Sequence, residues 1–184
     1  DQDGANFRFL KHPSSLVIAP RFSPTENEII FTGYETGKPN VYLMNLDNDK
    51  ISSLGNLKGM SFAPRFSMDG KKIVLSITES GNTDIFSINL VNLERKRLTS
   101  SIGIDTAPSF SPDGKSIVFE SDRGGGQQLY VISSEGGDAK RISFGQGKYA
   151  TPVWSPRGDL IAFTKINKGK FHIGVMRVDG SNER

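Results

Sequence analysis

Short apolar runs alternate with turn-forming residues along the whole chain, as in Ile117-Val118-Phe119 and Leu129-Tyr130-Val131-Ile132. Runs this short, rich in β-branched and aromatic residues, predict strands, and their continuity predicts burial on both faces, because a half-exposed strand would alternate. One set of strands is predicted over 28–32, 72–77, 116–120 and 160–165, and a following set over 41–46, 84–90, 128–133 and 172–178. Shorter, more polar stretches over 51–54, 97–99, 141–144 and 7–10 read as outer edge strands, where charge and brevity guard against unwanted pairing. A further strand, entered through Ala-Pro-x-aromatic in most units, precedes each set, with the proline near its start where a missing donor is tolerated.

The runs keep a constant interval. Pro20, Pro64, Pro108 and Pro152 are each 44 positions apart, as are Phe22, Phe66, Phe110 and Trp154, the serines 23, 67, 111 and 155, and the glycines 37, 81, 125 and 169. A period of roughly 40 to 45 residues built from about four short strands is the signature of propeller blades. Ser111-Pro112-Asp113-Gly114 predicts a hairpin, with proline presetting φ and glycine accepting a positive one. The first unit lacks the Asp-Gly pair, so Asn27 is predicted to take the left-handed position there. The expected fold is therefore an all-β β-propeller of four 44-residue blade repeats, one domain over 1–184, with units at about 19–62, 63–106, 107–150 and 151–184. Residues 3–8 align with 179–184 at an offset of 176, four periods. Residues 7–10 are accordingly expected to be the last strand of a blade. The units are either an arc of a larger ring or a closed four-bladed propeller strapped by 7–10.

Composition narrows the function. The 184 residues are 35% hydrophobic and 23% charged, a globular balance, and a net charge of +3 is spread without the basic stripe a nucleic-acid surface needs. No cysteine is present, which removes disulfides, thiolate metal sites and a cysteine nucleophile. No apolar run reaches the ~18 residues of a membrane span, so no membrane insertion is expected. The first residue is not Met, which is expected of a processed or excised piece. His12 and His172 lie 160 positions apart and write no zinc motif. Gly-x-Ser-x-Gly does not occur, Gly124-Gly125-Gly126 lacks the Lys-Ser/Thr of a phosphate loop, and Asp47-Asn48-Asp49 lacks the remainder of a calcium loop. No catalytic residue, cofactor or metal is expected.

What a propeller always offers is the set of loops entering its innermost strands, which converge on the channel mouth. Counted from each proline, they contribute Val17, Ile18, Ala19 and Arg21; Ser61, Phe62, Ala63 and Arg65; Asp105, Thr106, Ala107 and Ser109; and Tyr149, Ala150, Thr151 and Val153. One acid among sixteen is too few for acid-base chemistry, whereas apolar and aromatic groups with two arginines suit a protein partner. The candidate binding residues are Ile18, Arg21, Phe62, Ala63, Arg65, Asp105, Thr106, Ala107, Tyr149 and Thr151; packing between blades is the competing role for Ile18, Phe62, Ala63 and Ala107.

Ala107-Pro108-Ser109-Phe110-Ser111-Pro112-Asp113-Gly114-Lys115, the run 117–125, the run 128–137, Arg141-Ile142-Ser143 and Thr151-Pro152-Val153-Trp154-Ser155-Pro156-Arg157-Gly158 resemble the C-terminal propeller of the TolB family, over essentially all 184 residues and most closely in its alphaproteobacterial form. The resemblance implies a six-bladed propeller behind an α/β domain, so the chain is expected to lack that domain and two blades. It implies a periplasmic, non-catalytic scaffold of the Tol-Pal system, acting in outer-membrane integrity and cell division. It implies as partners the lipoprotein Pal, bound at the channel mouth through positions that here are Phe62, Ala63, Asp105, Thr106 and Ala107, other Tol proteins, and colicins on the same surface. The alternative is the gating propeller of a prolyl-oligopeptidase-like serine hydrolase. A bare arc is expected to self-associate through its end faces.

Overall fold

The computed structural model describes residues 7–35, 37–54 and 57–184. They form four antiparallel sheets in chain order. The first contains β1 (Val17–Phe22), β2 (Glu28–Glu35), β3 (Lys38–Asn45) and β4 (Ile51–Ser53). The second contains β5 (Met60–Phe66), β6 (Lys72–Glu79), β7 (Asn82–Asn89) and β8 (Arg95–Arg97). The third contains β9 (Asp105–Phe110), β10 (Ser116–Ser121), β11 (Gln128–Ser133) and β12 (Lys140–Arg141). The fourth contains β13 (Lys148–Trp154), β14 (Leu160–Asn167) and β15 (Lys170–Arg177). Each sheet is a meander with neighbours in sequence paired in space. The 44-residue units counted from the residue before each proline cut through β5, β9 and β13, so the sheets themselves start a few residues earlier.

Turn chemistry sets the register. Gly37, Gly81, Gly125 and Gly169 have φ between +74° and +87°, and three of them join full-length hairpins such as β6–β7, paired from Lys72↔Asn89 to Glu79↔Asn82. Gly70, Gly114 and Gly158 take φ of +67°, +70° and +79° and close the first hairpin of their sheets, with Gly114 N–H donating to Ser111 O. Asn27 does not adopt the left-handed conformation expected of it. That hairpin closes instead through Ser23 N–H to Glu28 O, with Glu28 N–H donating to Glu26 O and Ser23 Oγ accepting from Glu26 N–H.

Sheets stack face to face, and each seam has its own core. Ile30, Val41 and Leu54 meet Ile73, Leu75, Ile77, Phe86 and Ile88 at the first seam. Val74, Ile85 and Leu98 meet Phe110, Ile117, Phe119 and Ile132 at the second. Val118, Leu129 and Ile142 meet Tyr149, Trp154, Ile161, Phe163 and Met176 at the third. Burying one such side chain contributes about 1.5–3 kcal/mol, more than the median exposed ion pair, so the seams rather than surface charges hold the blades together. The polar outer strands turn inward just past their ends: Leu98, Thr99, Ile142 and Ser143 are buried. Thr99 Oγ1 accepts from Ile85 N–H, and Ser143 Oγ accepts from Leu129 N–H, pinning each blade's exit.

Strands of the fourth blade touch none of the first, so the four blades form an open arc and the closed four-bladed alternative does not apply. The repeat makes the consequence visible. Val41, Ile85 and Leu129 occupy one position and are at most 1% exposed, whereas Ile173 at the same position is 80% exposed; Phe110 and Trp154 are 9% exposed, whereas Phe22 is 76% exposed. Residues 7–10 form no strand, contrary to expectation. Arg8 Nη2 donates to Leu46 O, and the segment beyond it runs across the bare face of the first blade, where Leu10 and His12 line a groove of about 400 Å³ with Ile29, Phe31 and Met44. The fourth-strand position of the fourth blade is instead begun by Arg184, which exchanges both backbone hydrogen bonds with Val175. Residues 3–6, aligned with 179–182 in the sequence, lie outside the described residues.

Candidate interaction surface on the inner strands

The innermost strands β1, β5, β9 and β13 pack against one another in sequence along the inner edge of the arc. Each carries the same irregularity. Between Ile18↔Thr32 and Arg21↔Ile30 two residues of β1 face one of β2, and the same slip occurs after Phe62, Thr106 and Ala150. The first residue of each bulge is left-handed although it is not glycine: Ala19, Ala63, Ala107 and Thr151 have φ of 56°, 54°, 52° and 47°. This conformation costs an L-residue roughly 1–3 kcal/mol and persists only where surroundings impose it. Bulges re-aim side chains at the ends of sheets, which is their effect here at the chain's candidate binding positions.

Hydrogen bonds across the seams fix the bulges. Glu120, largely buried, accepts from Thr106 Oγ1 at 2.6 Å within its own blade and from Thr151 N–H at 2.7 Å in the next. Ser109 Oγ accepts from Trp154 N–H at 3.3 Å, and Ser61 Oγ accepts from Val41 N–H at 3.1 Å. Position 120 escaped the sequence reading because Glu120 sits inside a strand that is otherwise apolar; a carboxylate there was itself the available signal.

The structure divides the ten candidate residues. Ile18, Arg21 and Thr151 are exposed, and Phe62, Ala63, Arg65, Thr106 and Ala107 are half-buried along the same edge. Asp105 and Tyr149 are not surface groups, and their assignment to partner contact is corrected. Asp105 is fully buried, with Oδ2 accepting from Arg123 Nη2 at 2.6 Å, while that guanidinium lies over the rings of Phe119 and Tyr130. A buried carboxyl group needs such a partner, so this side chain is engaged inside the blade. Tyr149 is equally buried; its hydroxyl donates to Glu183 and its pKa is raised, first by burial. The position three residues before each proline is thus a packing position: Ser61 is buried there too, and Val17 is exposed only where no blade precedes it.

Arg21 and Arg65 lie one residue after the proline on adjacent strands, and each donates Nη1 to the preceding proline carbonyl, at 2.7 and 2.9 Å. The Arg65 pKa is pushed down to about 10, first by burial and then by the Arg21 charge. Among the described residues no three His, Cys, Asp or Glu side chains converge to hold a metal ion, and no helix is long and apolar enough to cross a membrane.

Comparison with known proteins gives the same architecture. The Tol-Pal system protein TolB of Paramagnetospirillum magneticum is 60% identical over 62 residues, which are 34% of this chain and 14% of that protein. TolB of Dinoroseobacter shibae is 59% identical over 64 residues, again 34% of this chain and 14% of the relative. The crystal structure of TolB from Acinetobacter baumannii superposes with a TM-score of 0.83 at 30% identity, covering 92% of this chain and 43% of that one. The chain therefore spans less than half of that TolB structure. The family model described as TolB beta propeller domain, PD40, matches residues 1–184, and the chain belongs to that family.

Proposed function

We propose that the chain is a non-catalytic recognition scaffold of the periplasmic Tol-Pal system, and that its inner-strand edge binds the lipoprotein Pal. The observation that carries this reading is the set of four in-register left-handed residues before the prolines, a strained arrangement repeated at every blade along one edge. Around it lie Ile18, Phe62, Thr106 and Thr151, a mixture of apolar and hydroxyl groups with Arg21 and Arg65 beside them, the composition of a protein-binding hot spot rather than of a reaction centre. The similarity to Tol-Pal proteins supplies the partner class. On this reading the arc is the part of a six-bladed ring that presents the edge, colicins compete for it, and other Tol proteins act with it in outer-membrane integrity and cell division.

Calorimetry with purified Pal tests it. Phe62→Ala should weaken binding about tenfold or more, since a buried aromatic anchor is worth at least ~1.4 kcal/mol. Wild-type affinity in a folded Phe62→Ala variant would overturn the assignment of the edge. Asp105→Ala is unsuitable for this purpose, because loss of the pairing between buried Asp105 and Arg123 perturbs the blade itself.

A further inference from the structure

Two guanidinium groups on neighbouring strands repel each other unless something negative comes between them. Arg21 and Arg65 are such a pair, related by one repeat and carried by β1 and β5, which are in direct contact. Neither forms an ion pair among the described residues, although Arg8, Arg95, Arg97 and Arg123 each have a carboxylate partner there. Arg65 is half-buried and feels the Arg21 charge.

Their orientation is also fixed. A proline carbonyl holds Nη1 of each residue, while Nε and Nη2 of both are without protein partners among the described residues. Those two nitrogens form the planar fork that matches a carboxylate bidentately. The left-handed Ala19 and Ala63 immediately precede the two prolines whose carbonyls hold these guanidinium groups. At the same repeat position the third and fourth blades carry Ser109 and Val153, so the basic character is confined to the first two blades.

We propose that Arg21 and Arg65 form a carboxylate receptor on the inner edge of the arc, which takes an acidic side chain or a free C-terminus of a peptide segment. The receptor is independent of the identity of Pal, and no step of its test uses that protein. Its arginines lie on the far side of the prolines from Phe62, so an acidic group would be read beside the apolar contacts rather than through them.

The test is a nuclear magnetic resonance titration of the arginine Nε–Hε signals with three short peptides: one capped at both ends and containing glutamates, the same peptide with glutamines, and one without acidic side chains but with a free C-terminal carboxylate. Saturable shifts of the Arg21 and Arg65 signals with either carboxylate-bearing peptide, and none with the glutamine peptide, are expected; which of the two acts identifies the source. R21Q, at an exposed position, and R65K, which keeps the charge but loses the fork, should each weaken binding about tenfold, as for loss of a charge-assisted hydrogen bond. Equal binding of the glutamate and glutamine peptides, or unchanged affinity in the R21Q R65K double variant, would overturn the proposal.

Discussion

Ala107 concentrates the conflict between local preference and fold. Its φ of 52° is unfavourable for any L-residue, and the proline that follows narrows its choices further. Alanine is the smallest side chain that still has a Cβ, and a β-branched residue would bring two more heavy atoms into the same crowding. Ala107→Val is therefore expected to destabilise the chain by about 2 kcal/mol, which lowers Tm by roughly 4–8 °C for a chain of this size. Thermal unfolding followed at Trp154 checks it, and an unchanged Tm would mean that the bulge relaxes without cost. The conformation was not legible in the sequence. Ala-Pro reads equally well as the start of a regular strand, and only the recurrence of a small residue before three of the four prolines hints at the bulge. Asp105 was misread for a related reason: its partner Arg123 lies 18 positions away beyond a hairpin, a pairing that burial makes obligatory but spacing does not announce.

Among elements, the strands were the most legible, since unbroken apolar runs such as Ile117-Val118-Phe119 need cover on both faces and receive it. The least legible was the segment before β1. His12 packs edge-on against Phe31 and Tyr42, with ring centroids 5.1 and 4.4 Å away, and Nδ1 accepts from Ser14 N–H. Burial lowers its pKa, against an opposing pull from Glu35. The docked segment thus binds fewer protons at His12 than the free segment does, so docking is at full strength above about 6.5, the free value, and weakens as pH falls below it towards the lowered value. The imidazole should titrate below 6.5 in a nuclear magnetic resonance experiment, with the Phe31 and Tyr42 ring signals moving in step. A midpoint at or above 6.5 would refute the docked, neutral histidine.

At the scale of the whole molecule, the 44-residue interval announced the blade count and the meander order, because each unit carries its own turn glycines and its own core face. Openness was not announced. Whether terminal blades meet depends on blade-to-blade rotation, and the same core pattern serves arcs and rings alike. Both end faces keep apolar groups in the open, since Phe22 and Ile173 are exposed at positions whose counterparts in the interior seams are wholly or partly buried. Head-to-tail association of chains is expected, with the weight-average mass in light scattering rising with concentration and Ile173→Asp suppressing the rise. A mass that stays monomeric at every concentration would show that the faces do not recognise each other.

The seams are not equally fastened. The third is bridged by Thr151 N–H to Glu120, Trp154 N–H to Ser109, Gln128 Nε2 to Gly147 O and Tyr149 N–H to Gln127 O, whereas the first has Val41 N–H to Ser61. In mechanical language the blades are links in series, and tension between the chain ends loads every link alike. Under such a load the third and fourth blades stay clasped as a unit, and the arc parts at the less bridged seams ahead of them.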